Sequence, residues 1–97
     1  MPERLHIEIK GIVQGVGFRP YISRLANDLN LRGWVRNTSN GLELEVEGDR
    51  PFLERFSERL TEEPPVGSQI CQFQSSHIPK ENDSYFSIQK SSSGLAK

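Results

Sequence analysis

Apolar residues follow two different spacings in this chain, one typical of strands and one typical of helices. The order of these segments along the chain is the strongest constraint on its fold. Apolar residues occupy every second position in residues 5–9 and again in residues 42–46, which predicts strands with one buried face. Apolar residues recur every three or four positions in residues 22–29 and 52–60, which predicts two amphipathic helices. The short segment Trp-Val-Arg at residues 34–36 predicts a further strand before the turn that precedes residue 42.

Two weaker strands, at residues 68–73 and 85–89, follow the second helix, with a polar loop expected at residues 75–83. The order β-α-β-β-α-β, followed by a short fifth strand, predicts an α+β ferredoxin-like sandwich with two helices on one face of an antiparallel sheet. We expect residues 1–90 to form this domain. Residues 91–97 are rich in serine and are expected to be a flexible tail or the start of a linker to a downstream module.

The two strands that the first helix joins should run parallel, because such crossovers are right-handed. Their C-terminal ends would then lie along the same edge of the sheet. If the third strand separates them, these ends are about 10 Å apart. Residues that follow the first strand can therefore meet residues at the end of the second.

Composition excludes several classes of function. The 97 residues include 12 basic and 13 acidic side chains, so the chain has no basic field to bind nucleic acid or an anionic membrane. The acidic side chains of residues 43, 45 and 47, expected on a solvated sheet face, would repel an RNA backbone. The only cysteine, Cys71, cannot form an internal disulfide. Without a signal peptide or an apolar span, a cytoplasmic domain is expected.

The segment between the first strand and the first helix reads Gln14-Gly15-Val16-Gly17-Phe18-Arg19. Glycines allow successive backbone N–H groups to converge on an anion, and the start of the following helix adds partial positive charge. Arg19 offers a planar set of donors that matches a phosphate or carboxylate. We expect Arg19 at the N-cap and Pro20 at the first helical position. In the alternative interpretation, the glycines only make a tight turn and Arg19 is solvated.

Asn37 lies at the end of the second predicted strand, on the edge that the glycine loop should also reach. An asparagine side chain can accept a hydrogen bond from a water molecule and orient it without titrating. The alternative is that Asn37 only begins the turn at residues 38–41, because asparagine favours turns.

Residues 13–19, together with residues 33–37 and 41–43, resemble the acylphosphatase signature, and the resemblance extends over about residues 5–89. It implies hydrolysis of a carboxyl–phosphate mixed anhydride, with Arg19 and Asn37 as catalytic residues. Arg19 and the loop backbone would bind the phosphoryl group, and Asn37 would position the attacking water. The resemblance implies phosphate binding by Gln14, Gly15, Val16, Gly17, Phe18 and Arg19. It implies neither a metal nor another cofactor.

Residues 17–20, Gly-Phe-Arg-Pro, further resemble the N-terminal domain of the carbamoyltransferases that mature [NiFe] hydrogenase. This implies carbamoyl phosphate as the substrate and the downstream domains of the same polypeptide as partners. Two alternatives stay open: a stand-alone acylphosphatase, and a non-catalytic module that binds an anion or docks to neighbouring domains. His6 and His77 are expected to be ordinary surface residues, because no third metal ligand lies near either in the sequence.

Overall fold

Five strands form one sheet in the order β4-β1-β3-β2-β5, and two helices pack together on one of its faces. The computed structural model describes residues 2–90, so the tail expected at residues 91–97 lies outside the described residues. The elements in chain order are β1 (Pro2–Ile12), α1 (Phe18–Asp28), β2 (Arg32–Thr38), β3 (Gly41–Asp49), α2 (Arg50–Glu62), β4 (Gln69–Ile78) and β5 (Phe86–Ile88). This arrangement confirms the predicted α+β sandwich with a short fifth strand.

The pairing of β1 with β3, and of β3 with β2, is antiparallel, so β1 and β2 run parallel as predicted. The sheet is mixed rather than fully antiparallel, because β5 pairs in parallel with β2. After β4 the chain crosses from one edge of the sheet to the other before β5 begins. The register places Ile9 opposite Leu42 and Leu42 opposite Asn37.

The core lies between the sheet and the two helices. Alternate residues of β1, β2 and β3 point toward the helices, as the period of two predicts. The buried apolar side chains are Leu5, Ile7, Ile9, Val13, Phe18, Ile22, Leu25, Ala26, Leu31, Val35, Leu42, Leu44, Val46, Leu53, Phe56, Leu60 and Phe86. No helix in the described part of the chain has the length and apolar character needed to cross a membrane.

The start of α1 differs from the sequence expectation. Gly17 is the N-cap, with a φ of 78° and a ψ of 21°, so Arg19 and Pro20 are the second and third helical residues. Proline is tolerated there because the N–H groups of the first turn have no helical acceptor in any case. The second helix begins after Asp49, which is its N-cap.

Strand β4 is longer than the sequence indicates, because residues 75–78 continue its pairing with β1. The expected polar loop at residues 75–83 is therefore wrong for its first four residues, 75–78. The pairing uses backbone groups, which do not depend on side-chain polarity, and the polar side chains of an edge strand can face solvent.

The helix-free face carries paired charges instead of a solvated acidic row. Arg4 is 1% exposed and Glu47 is 0% exposed. The Arg4 guanidinium donates to Glu45 Oε1 at 2.8 Å, to Glu47 Oε1 at 3.0 Å and to Asp83 Oδ2 at 3.1 Å. Glu47 also accepts the backbone N–H of Glu81 at 2.9 Å, since the crossing segment covers this part of the sheet. The expectation of a fully solvated acidic face is thus wrong.

Candidate active site

The loop between β1 and α1 is fixed at both ends by buried side chains. Val13 and Phe18 are each 1% exposed and belong to the core. Between them, Gly15 and Gly17 have φ values of 75° and 78°, in the left-handed region that favours glycine. A Cβ at either glycine would meet no atom within 4 Å beyond its chain neighbours. The glycines are therefore required by the backbone conformation, and the face of the loop stays open.

The first turn of α1 points backbone donors at this open face. Tyr21 donates its N–H to Gly17 O at 3.2 Å, and Pro20 has no N–H. The N–H groups of Phe18 and Arg19 precede the first helical hydrogen bond, so they have no acceptor within the helix. The first turn contains no acidic residue that would compete for these donors. Left-handed glycines followed by such N–H groups are a backbone arrangement that can form a concavity for an oxyanion.

Arg19 is the charged side chain of this concavity. It is half-buried in the first turn of α1 and forms no ion pair with another described side chain. Its guanidinium can therefore bind an external anion without first giving up an internal carboxylate. A phosphate offers oxygen pairs that match this planar set of donors.

Asn37 lies on the helix-covered face, near the end of β2. It follows the fully buried Val35 by two positions and therefore shares its face of the sheet. Its Cα partner is Leu42, which on its other side pairs with Ile9 of β1. Two strand spacings, about 10 Å, thus separate Asn37 from β1 just before the loop. Its Oδ1 is buried.

Asn37 and the start of α1 consequently occupy the same face and the same edge of the sheet. The predicted parallel direction of β1 and β2 already indicated that they share an edge. The register adds the face, because Ile9, Leu42 and Asn37 form one row on the side that the helices cover.

The side chain of Gln14 has a contact that the sequence did not indicate. Its Nε2 donates to Thr38 O at 2.6 Å and to Gly41 O at 2.9 Å. A primary amide has two N–H groups, so both are used to tie the loop to the turn between β2 and β3. Tight turns leave carbonyl groups without partners, and that is the signal in the sequence that could have indicated this brace.

The remaining loop residues can contact an anion mainly through their backbone. Phe18 is buried and packs edge-on against Tyr21, with ring centroids 6.1 Å apart. Val16 packs against the core, and the two glycines have no side chain. Of the six residues predicted to bind phosphate, Arg19 alone has a charged side chain.

Comparison with known proteins agrees with the fold. The acylphosphatase family model matches residues 5–88. Carbamoyltransferase HypF of Synechocystis sp. is 37% identical over 94 residues, which cover 97% of this chain and 12% of that protein. The chain thus spans about one eighth of the length of this curated relative.

Two solved structures superpose closely on this chain. Full-length HypF, in a phosphate- and nucleotide-bound form, gives a TM-score of 0.91 at 39% identity and covers 94% of this chain and 12% of its own. The acylphosphatase of Bacillus subtilis gives a TM-score of 0.85 at 31% identity, and the match covers 92% of this chain and 99% of that one. This chain therefore belongs to the acylphosphatase family and is a hydrolase domain of that family.

Proposed function

We propose that the domain hydrolyses carbamoyl phosphate to carbamate and phosphate, using Arg19 and Asn37 as catalytic residues. The observation that carries this proposal is the shared location of three elements on one edge of the helix-covered face. These are the backbone donors of the glycine loop, the Arg19 guanidinium without an internal ion pair, and the Asn37 amide. Phosphoryl transfer depends mainly on such positioning and charge stabilisation.

In this proposal the loop and Arg19 hold the phosphoryl group. Its oxygens accept hydrogen bonds from the N–H groups at the start of α1 and from the guanidinium. Negative charge on these oxygens is then balanced in the transition state by donors that are already in place. Gln14 maintains the loop geometry by its two bonds to the β2–β3 turn.

Asn37 orients the attacking water through its side-chain oxygen. The water oxygen forms a bond to phosphorus while the bond from phosphorus to the bridging acyl oxygen breaks. The acyl oxygen leaves with the electron pair as a carboxylate, which needs no general acid because it is a weak base. The proton from water passes to the phosphate product or to solvent. Neither residues 14–19 nor residues 33–37 contain a histidine or a carboxylate that could act as a base.

The larger role that we propose is the first step of carbamoyl transfer in [NiFe] hydrogenase maturation. The similarity to carbamoyltransferase HypF proteins supports it, because this domain then supplies carbamate to downstream domains of the same polypeptide. The same proposal assigns the domain to the cytoplasm, where a lone unbridged cysteine such as Cys71 is ordinary.

The test is an assay of the purified chain with carbamoyl phosphate and benzoyl phosphate. We expect Arg19→Ala to lower kcat/KM by about 10³-fold, the effect of removing an arginine that stabilises phosphoryl transfer. We expect a comparable loss in Asn37→Ala, seen in kcat. The matched controls are Arg24→Ala, on the exposed side of α1, and Asn40→Ala, in the exposed turn; both should retain activity.

Hydrolysis in ¹⁸O-labelled water distinguishes the bond that breaks. Attack at phosphorus puts the label into phosphate, and attack at carbon puts it into the carboxylate product. Undiminished turnover in Arg19→Ala contradicts the assigned mechanism. Phosphate binding without any turnover supports the non-catalytic module instead. A preference for benzoyl phosphate over carbamoyl phosphate supports a general acylphosphatase.

A further inference from the structure

We propose that the helix-free face binds a divalent transition-metal ion between His6, Glu8 and Glu43, with Zn²⁺ as the favoured ion. The imidazole nitrogen of His6 and one carboxylate oxygen from each glutamate lie within 4.8 Å of one another. One imidazole and two carboxylates are ligand types that zinc takes in proteins. This cluster lies on the opposite face of the sheet from Arg19 and Asn37.

The two central strands hold these residues in place. Glu8 of β1 is the Cα partner of Glu43 of β3, so their side chains leave the same face side by side. His6 precedes Glu8 by two positions and shares that face. β1 is paired on both sides, with β3 and β4, so the backbone beneath the cluster is fixed. All three side chains are partly buried.

The charges around the cluster are incompletely balanced. Directly opposed carboxylates on neighbouring strands repel each other. Glu43 is partly compensated, because its Oε1 accepts from Arg36 Nε at 3.1 Å and from Arg36 Nη2 at 2.8 Å. Its Oε2 lies 2.7 Å from His6 Nε2. The Glu8 side chain has no hydrogen bond or ion pair with another described residue. A bound cation would compensate the carboxylate of Glu8.

Glu43 offers one carboxylate oxygen to the cluster. Arg36 occupies Oε1, so Oε2 is the oxygen that faces the cluster. A metal ion would replace the contact between His6 and Glu43 by bonds from both residues to itself.

The cluster is open to solvent along the outer strand. A depression over the sheet is lined by His6 and Glu8 of β1 and by residues 73–76 of β4. It provides an entry path and room for water at the coordination positions that the protein leaves open. Ligand atoms on one tetrahedral zinc are about 3.4 Å apart, given bonds of about 2.0–2.2 Å. Side-chain rotations that move the ligand atoms by about an ångström would therefore bring all three within bonding distance of one ion.

The other histidine offers a matched control within the same chain. His77 of β4 lies 3.2 Å from Glu3, so it also forms a histidine–carboxylate contact. No third donor joins that pair at metal-binding distance among the described residues. Adventitious binding to an exposed histidine would depend on His77, which has an exposed side chain, at least as much as on His6.

The test is titration of the metal-free chain with Zn²⁺ by calorimetry, and with Co²⁺ by visible absorption. We expect one equivalent of metal to bind the unmodified chain. Binding should be lost in His6→Ala, become at least about tenfold weaker in the nearly isosteric Glu8→Gln, and be unchanged in His77→Ala. Circular dichroism of each variant verifies that the fold is retained.

Three results would overturn the proposal: no binding of Zn²⁺ to the unmodified chain, equal binding in folded His6→Ala, or loss of binding in His77→Ala. Co²⁺ bands typical of tetrahedral nitrogen and oxygen ligation in the unmodified chain would support it. Bands of an octahedral aqua ion would contradict it.

Discussion

On the helix-free face of the sheet, Arg4 is enclosed by three carboxylates at 2.8, 3.0 and 3.1 Å, whereas Arg19, at the start of α1, forms no ion pair with another described side chain. Arg4 is 1% exposed, and the segment before β5 covers its surroundings. Arg19 is half-buried beside an open loop. The two arginines have the same chemistry and opposite surroundings.

This difference separates a charge that holds the fold together from one that can bind a ligand. A guanidinium that is fully buried among three carboxylate partners is out of reach of a substrate, and moving it would leave the buried Glu47 without this partner. A guanidinium beside backbone N–H groups adds to an existing attraction for anions. The net charge of −1 does not reveal this, because the attraction depends on a few local groups.

The largest expected effect on stability comes from breaking the enclosed network. We expect Glu47→Gln to lower the free energy of unfolding by about 3 kcal/mol, because it leaves Arg4 buried with one carboxylate fewer. The control is Glu3→Gln, which removes the partner of the largely exposed Arg50 and should cost less than about 1 kcal/mol. Urea unfolding followed by the fluorescence of Trp34 measures both.

The pH dependence of the free energy of unfolding provides a second test of the network around Arg4 and Glu47. Burial alone would raise the pKa of Glu47, but hydrogen bonds from the Glu81 N–H and from Arg4 outweigh it and lower the pKa. A lowered pKa in the folded state gives stability that is present above the unfolded-state pKa of 4.5 and is lost as pH falls through the folded-state value. The Glu47→Gln variant should lack this part of the acid dependence. Equal pH profiles for the two proteins would contradict an enclosed, ionised Glu47.

The order of the elements could be predicted from the sequence because it follows from local periodicity. The shared edge of the loop and Asn37 followed from the handedness of one crossover. The enclosed network could not be predicted in this way. Arg4 is 43 positions from Glu47 and 79 from Asp83, and no local pattern connects groups so far apart in the chain.

The details of the site were predictable only in part. The glycines and Arg19 were identified from local chemistry, but the start of α1 was placed too late, because Gly17 rather than Arg19 takes the N-cap position. The brace by Gln14 was missed because its acceptors, Thr38 and Gly41, become neighbours of the loop only through the β1–β3–β2 register.

Replacing Gln14 tests whether the loop beside Arg19 depends on the two hydrogen bonds of an uncharged side chain, as the region around Arg4 depends on ion pairs. We expect Gln14→Ala to lower kcat/KM by about 10²-fold, because small displacements of a positioning group cost that much. Stability should fall by only about 1–2 kcal/mol, since two hydrogen bonds are lost at the surface. Enzyme kinetics and urea unfolding measure the two effects.

Two further variants make the test of Gln14 specific. Gln14→Glu should be more harmful than Gln14→Ala, because a carboxylate would face two carbonyl oxygens and the bound anion. Gln72→Ala, on the exposed side of β4, should change neither activity nor stability. Activity that is unchanged in Gln14→Ala would show that the loop holds its conformation without the brace.

The smallest expected effect concerns the number of backbone donors beside Arg19. Pro20 is the third residue of α1 and contributes no N–H. In Pro20→Ala the new N–H lies in the first turn, where it has no acceptor within the helix and can face the anion. One additional hydrogen bond to a charged group should therefore tighten the binding of inorganic phosphate by a few-fold, about 1 kcal/mol. Competitive inhibition by phosphate measures this change.

Pro51→Ala, in the first turn of α2, makes the same replacement away from the loop and should leave phosphate inhibition unchanged. Weaker phosphate binding in Pro20→Ala would show that proline contributes by holding the conformation of the loop, and that the concavity depends on rigidity more than on its number of donors.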